Sequence, residues 1–555
     1  MVLWAGEGVK TLHRVGRSWQ VHVLVILAYA LLALALTWPL VVHIGTHVPG
    51  NGVDDPPLTW NLWWVRHALL EQGTNPFDTD FLFFPLGINL AFYTLTVLNG
   101  LLSIPLQATF GLVSASNILL LSSFVLSGYG AFLLASYGLH ACYGNQNKDA
   151  GRRLLLPAFA AGLLYAFASS KLSYAALGQW NIASSQWIPF YVLYLFKTGE
   201  RSERWRYPLM ASLFLLFQAY AEATYATFLI LFTALWTVWL LLSRILARHW
   251  NRVWRLVVNL ALIALVFGAG LAPILAMMIP ELMAEGDILV EGSGFAGAFS
   301  ADLLGFFVPT MHHPVFGSLV KNLSFDYGVG QHIYLGYSAL VLVAIALLHA
   351  WHRRKDRATP ASSAGADAGG IGAWVVFWSM SALVYGLLAL GPTLRFNGHD
   401  SGLPLPFTLV ARLPFFKGNR YPSRYSVMLF LSLSMLLAPG LNAILKRASR
   451  RELLYAVAAL LLSFMLFENL SAPLPLSVMR VPPVYQFLAE EMPQEATLLD
   501  LPVAWRNGFR VTGTQHPTIM FQQYYQSVHN RPSLAGNTSR NPPLKFQYFA
   551  EAPVI

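Results

Sequence analysis

The sequence predicts a polytopic, all-α membrane protein of about eleven transmembrane helices, with a small mixed α/β domain after the last of them. Three observations carry that reading. Of 555 residues, 56% are hydrophobic and 11% are charged, against about 25% charged in soluble domains; a water-soluble fold of this size could not hide so much apolar surface. Apolar stretches close to the roughly 20 residues that cross a bilayer recur along the chain. The basic residues gather in the short segments between those stretches, as they do in cytoplasmic loops.

The stretches fall near residues 21–43, 115–139, 154–174, 180–197, 207–220, 223–243, 253–279, 334–351, 371–390, 426–445 and 453–470. Lys10, Arg14 and Arg17 precede the first without a small-residue cleavage pattern, which reads as a retained helix. Six short segments hold 22 of the 36 Lys and Arg: Lys10 to Arg17, Lys148 to Arg153, Lys197 to Arg206, Arg244 to Arg255, Arg353 to Arg357 and Lys446 to Arg451. One threading places all six inside, with the N-terminus cytoplasmic and the C-terminus outside, as expected of a multi-pass plasma-membrane protein. It requires Tyr93 to Val113, with Pro105 in its middle, to lie along the outer surface.

The chain then divides into a cytoplasmic start (1–20), a seven-helix module (21–279) with an outer loop at 44–114, and a second large outer loop (280–333). A four-helix block (334–470) and a non-cytoplasmic C-terminal domain (471–555) follow. Ala358 to Gly370 is a low-complexity Ala/Ser/Gly linker. The net charge of +10 has its origin in the cytoplasmic loops, which removes the case for a nucleic-acid partner. A single cysteine, Cys142, excludes a disulfide framework.

The outer segments hold the candidate chemistry. Gly50-Asn-Gly-Val-Asp54-Asp55-Pro-Pro presents two adjacent carboxylates on a Gly/Pro-rich turn. Such a pair binds a hard cation or keeps one acid as a general base; it also suits a solvated turn or a helix cap before Leu58. Trp60, Trp63 and Trp64 read as an interfacial anchor or as stacking surfaces for sugar rings. Gln179, in a polar cluster running to Trp187, and Glu222, between two spans, line a wet cavity or hold helices together. Asp302 and His313 offer oxygen and nitrogen to a metal or a phosphate, although adjacent histidines (His312, His313) point apart. Lys417, Arg420 and Arg424 sit on the outer side against the positive-inside trend, as phosphate ligands or as anchors to lipid headgroups. Asn537-Thr-Ser539 fits a glycosylation sequon.

Taken in order, these residues resemble the GT-C-fold, polyprenyl-phosphate-sugar-dependent membrane glycosyltransferases, and especially a group of bacterial GT-C-like membrane proteins. The resemblance runs from Asp54 and Asp55 through the surface helix at Tyr93 to Val113, then Asp302 and His313-Pro314, Arg420-Tyr-Pro-Ser-Arg424, and the tail His529 to Gly536 with Ser539-Arg540. It implies a GT-C-like fold and transfer of a hexosyl or pentosyl group from a polyprenyl-phosphate donor to a hydroxyl of a lipid, polysaccharide or protein acceptor. It implies Asp54 or Asp55 as the base, and Arg420, Arg424 and Lys417, with Gln179, Glu222 and His313, as contacts to substrate and lipid phosphate. A divalent cation, Mg or Mn, would sit on Asp55 and Asp302; a second acidic motif in 280–333 is not matched. No Gly-rich phosphate loop ending in Lys-Ser/Thr is present, which argues against a nucleotide-sugar donor. A lipid-linked-substrate transporter and a non-catalytic relative of the same fold remain as alternatives.

Overall fold

The computed structural model describes residues 19–143, 153–285, 296–322, 333–355, 368–413, 416, 418–447, 451–493, 495–507, 510–513, 518–539, 547–548 and 551. Helix α1 (Trp19–Leu36) leads into a segment with a strand β1 (His47–Pro49) and helices α2 (Asp55–Arg66) and α3 (Val97–Phe110). The long α4 (Leu112–Tyr143) follows, then three helical pieces, α5 (Leu155–Ala166), α6 (Ser169–Ala176) and α7 (Trp180–Ala183). Helices α8 (Trp187–Glu200), α9 (Arg206–Ala221), α10 (Ala223–Leu246) and α11 (Trp250–Glu285) complete the N-terminal half. The second half holds α12 (Tyr337–Lys355) and α13 (Ala368–Ala389), a hairpin of β2 (Thr393–Phe396) and β3 (His399–Pro404), and α14 (Ser426–Arg447) and α15 (Arg451–Glu468). The tail carries β4 (Leu476–Val478), α16 (Pro483–Glu491), β5 (Ala504–Asn507), β6 (Arg510–Gly513), α17 (Thr518–His529) and β7 (Gly536–Thr538).

Among the described residues, seven helical segments are long and apolar enough to cross a membrane: α1, α4, α5 with α6, α10, α11, α13 and α14. The chain is thus a multi-pass membrane protein, with seven such segments where periodicity suggested about eleven. The other four expected spans are helices too, and the reason they fall short is local. Helices α8 and α9 have 14 and 16 residues. Helix α12 ends in His352, Arg353, Arg354 and Lys355, and α15 carries Arg451, Glu452 and Glu468 at its ends.

Local chemistry sets the breaks. Gly111, at φ +81°, separates α3 from α4 in a conformation that costs a side chain energy and glycine none. Helix α3 has 14 residues and turns Asn99, Gly100, Ser103 and Gln107 inward, while Leu101, Leu102 and Phe110 are exposed. Its polar edge bonds protein, with Gln107 Nε2 donating to the Leu62 carbonyl at 2.8 Å. Its apolar edge faces outward, the pattern of a helix lying on a membrane surface. Helix α2 starts on Pro56 and Pro57, whose fixed φ suits a first turn.

The bundle shares one continuous apolar core built from α1, α2 and α4 to α15. Close approach depends on small residues: a Cβ on Gly162 would lie 2.1 Å from the Tyr29 hydroxyl and 2.3 Å from the Gly128 carbonyl oxygen. The buried Lys171 of α6 donates to the Ser123 carbonyl at 3.1 Å and to Ser127 Oγ at 2.6 Å, both on α4, which pins the broken α6–α7 segment.

The tail does not stand apart from the first outer loop. Strand β1 pairs antiparallel with β4, His47 opposite Val478 and Pro49 opposite Leu476. Gln526 Nε2 donates to the Phe81 carbonyl, and Phe83 N to the Ala535 carbonyl. Trp60, Trp63, Trp64, Phe81, Phe83 and Trp505 form one outer core. The tryptophan run is therefore interior packing and is neither a membrane anchor nor a sugar-stacking face.

Gly162→Ala is expected to destabilise the detergent-solubilised protein by about 1–3 kcal/mol through overpacking, read as a lower melting temperature. Gly268→Ala, where an added methyl meets nothing within 4 Å, should leave it unchanged or slightly raised.

Candidate functional site

The start of α2 meets the turn before α7, the segment before α14 and the C-terminal sheet around a cavity of about 830 Å³ of space, open to solvent. Its wall contains Asp54, Tyr93, Gln179, Asn181, Arg420, Tyr421, Arg424, Arg506 and the run Asn537 to Ser539.

The two adjacent acids part company here. Asp54 occupies the cap position of α2 but makes no side-chain capping bond; its Oδ2 accepts from Gln179 Nε2 at 2.8 Å, and the carboxylate faces the cavity. Asp55 is fully buried behind the wall. Its Oδ1 accepts the Gly52 N–H at 2.9 Å, and it packs so closely that a Cβ on Gly50 would sit 2.4 Å from its Cγ and one on Gly178 2.8 Å from its Cβ. Both glycines hold positive φ, +146° and +77°, so bulk and backbone each require glycine there. Burial raises the Asp55 carboxyl to about 6; bonds from Ser477 and Gly52 oppose the rise, and the Asp54 charge adds to it.

Gln179 joins the acid to the bases. Its Oε1 accepts from Arg424 Nη2 at 3.5 Å, and the Arg424 guanidinium stacks over the Tyr421 ring at 4.1 Å, with Tyr174 at 5.9 Å. Burial raises the Tyr421 phenol; Arg424 and Arg420 pull it down and Asp54 pushes it up, so all three charges act on one wall residue. Glu222 stands one residue behind the wall: it accepts from Asn181 Nδ2 at 2.9 Å and caps α10 through the Thr224 N–H at 3.3 Å. It orients Asn181 and lines nothing itself.

Asp302 and His313 are occupied elsewhere. The buried Asp302 carboxylate accepts three backbone N–H groups, Leu304 at 2.8 Å, Asn397 at 3.0 Å and Gly398 at 2.8 Å, and so fixes the β2–β3 turn. His313 Nδ1 accepts from Val315 and Phe316, both at 3.1 Å, while Nε2 bonds the Phe467 carbonyl at 2.8 Å. That pattern fixes the neutral ring, and burial lowers its pKa in the same direction. Neither residue reaches the cavity wall, and each is a structural brace where a metal or phosphate contact was expected. Lys417 lies outside the described residues. Asn537 is buried in β7, with Nδ2 on Met520 Sδ at 3.0 Å, which places the sequon in the cavity wall and not on an accessible surface.

The donors that the described residues offer at the cavity do not suit a divalent cation. Among the described residues no three His, Cys, Asp or Glu side chains come together. The cavity wall, among the described residues, offers one carboxylate, partly committed to Gln179, beside three guanidiniums, where Mg or Mn needs several oxygen ligands and tolerates no crowd of like charges.

Sequence reasoning did not single out Arg506. It lies in β5, opposite Asn537 of β7 in parallel register, next to the buried Trp505. The signal available was alternation: with Trp505 inward, its neighbour faces the other side of the strand.

No protein-family model matches the sequence, and no curated protein matches it. Solved structures match in fold. The oligosaccharyltransferase of Archaeoglobus fulgidus in its apo form superposes with a TM-score of 0.50 at 14% identity, over 93% of this chain and 64% of that enzyme. The same archaeal enzyme in complex with an inhibitory peptide and a dolichol-phosphate gives 0.46 at 13%, over 94% and 65%. The arabinofuranosyltransferase AftD from Mycobacteria gives 0.44 at 13%, over 94% of this chain and 32% of that one. The chain is a multi-pass membrane protein with a GT-C glycosyltransferase-like fold, and it spans less than two thirds of the length of the archaeal enzyme.

Two outcomes follow for stability. Because the folded Asp55 pKa lies above its unfolded value, its contribution is fully present below about pH 4 and is lost as pH rises through about 6. Thermal unfolding between pH 4 and 7 should show this loss, about 3 kcal/mol for the shift, and Asp55→Asn should flatten it. Asp302→Ala strands three backbone donors and should cost at least about 2 kcal/mol with a melting temperature well below wild type.

Proposed function

We propose that this chain is a membrane glycosyltransferase that moves a sugar from a polyprenyl-phosphate donor to an acceptor hydroxyl on the non-cytoplasmic face. One observation supports the reading above the others: in a single cavity, a carboxylate free of helix-capping duty is linked through Gln179 to an arginine stacked on tyrosine. Acid and guanidinium are the two groups that direct displacement at an anomeric carbon needs.

In that mechanism Asp54 accepts the proton of the acceptor hydroxyl as its oxygen bonds the anomeric carbon. The bond from that carbon to the phosphate oxygen breaks, and its electron pair leaves on the phosphate. Arg420 and Arg424 hold the phosphate and stabilise the charge it gains. The Gln179 amide fixes the Asp54 carboxylate, and Asn181, oriented by Glu222, adds a polar contact in the wall. The exposed apolar faces of α3 and α11 leave a lipid tail a route beside the cavity.

The fold resembles that of lipid-linked-donor GT-C glycosyltransferases, which supports the class of donor and leaves sugar and acceptor to experiment. The test is transfer from radiolabelled polyprenyl-phosphate sugars into lipid and polymer fractions of membranes carrying the protein. Asp54→Asn should lower transfer by about 10²- to 10⁴-fold with normal insertion and melting. Asp55→Asn, at a residue behind the wall, should retain most of it. Equal loss in both variants, or transfer that survives Asp54→Asn, would overturn the assignment of the base.

A further inference from the structure

We infer that Arg506 completes, with Arg420 and Arg424, a three-guanidinium site that binds the donor phosphate without a divalent cation. This rests on the lipid-phosphate donor proposed above. The four acids that the sequence offered for a cation or a substrate contact are distributed against metal binding. Asp54 alone lines the cavity, with Gln179 Nε2 at 2.8 Å on one oxygen. Asp55 is buried against Gly52, Asp302 is saturated by three backbone N–H groups, and Glu222 acts through Asn181. Three arginines drawn from two distant parts of the chain share the cavity wall with Asp54.

Arg506 is held for this task by the sheet. Its strand pairs with β6 and β7, and the neighbouring Trp505 is buried with Nε1 on the Leu534 carbonyl at 2.6 Å. Its Nη1 also contacts Met520 Sδ at 3.6 Å. The Tyr93 hydroxyl reports where the charge acts: burial raises its pKa, Asp54 pushes it further up, and Arg506 pulls it down. Arg506 and Asp54 thus both act on Tyr93 in the same cavity wall. The charges also match the chemistry. Among the described residues of the wall, cations outnumber carboxylates three to one, and a phosphodiester donor departs as a monoester whose second charge develops near neutral pH. Guanidinium forks bind phosphate oxygens in pairs and neutralise them directly, the task a metal performs where one is present.

The test is binding of a short polyprenyl phosphate to the purified full-length protein, followed by intrinsic fluorescence and by thermal shift. It is run in EDTA, in Mg and in Mn, with inorganic phosphate and phosphatidylglycerol as competitors. Affinity in EDTA should equal that in either metal within about twofold, and Arg506→Gln should weaken it by about 10- to 100-fold. Arg506→Lys, a point charge without the fork, should fall between. Binding that requires Mg or Mn, or that is unchanged in a folded Arg506→Gln protein, overturns the inference and leaves the donor reading standing. Equal displacement by phosphatidylglycerol makes the site a headgroup anchor and overturns it as well. The metal series on the wild type decides the matter even if the Arg506 variants fail to fold. Absence of binding under every condition overturns the donor reading itself, and the inference with it.

Discussion

Gln179 is the joint on which the rest of this site depends. One amide receives a guanidinium proton through its oxygen and gives its own proton to a carboxylate, and the three residues are drawn together across 125 and 245 positions of sequence. An amide is suited to this because it carries donor and acceptor on one short planar group. Its place is secured from below. Gly178 supplies the left-handed backbone and the room for Asp55, while Lys171, donating to Ser123 and Ser127, holds the broken helix that precedes it. A polar brace of this kind deep in an apolar bundle fixes one arrangement, since each member left unpaired there would be costly.

That joint requires the outer parts to be built together. The first outer loop supplies the acid, the segment before α14 two arginines, and the tail a third. The tail is fixed to the loop by the β1–β4 ladder and by the aromatic core around Trp64 and Trp505. A cavity whose charges come from such separate segments keeps its geometry only when the scaffold between them is rigid. The membrane helices and the paired outer strands provide that rigidity, and the GT-C-like fold is the arrangement they take.

The division of labour between Asp54 and Asp55 shows how fine the decision is. Both acids share one turn and one sequence environment, yet one faces water and arginine and the other lies in a glycine-lined slot with a raised pKa. The same holds for Asp302 and His313, whose chemistry is that of ligands and whose bonds are those of turn braces. Residue type proposes a role, and the count of hydrogen bonds already made disposes of it.

The sequence by itself determined the multi-pass membrane class, the helices and the segments between them that carry polar chemistry. Those follow from apolar length, helix-breaking Pro and Gly, and the scarcity of charge, which are local properties of the chain. The legible part of the site was Asp54, Gln179, Arg420 and Arg424, each set off from its surroundings by polarity at a membrane boundary. Only the tertiary structure decided which acid of the pair faces the cavity, that Trp60, Trp63 and Trp64 are core, and that Arg506 shares the cavity wall with Asp54. Those depend on strand pairing between residues hundreds of positions apart and on side-chain direction, neither of which periodicity encodes. It also set the number of helices that meet the length and apolarity of a span at seven among the described residues, because α8 and α9 are short and α12 and α15 carry charge at their ends.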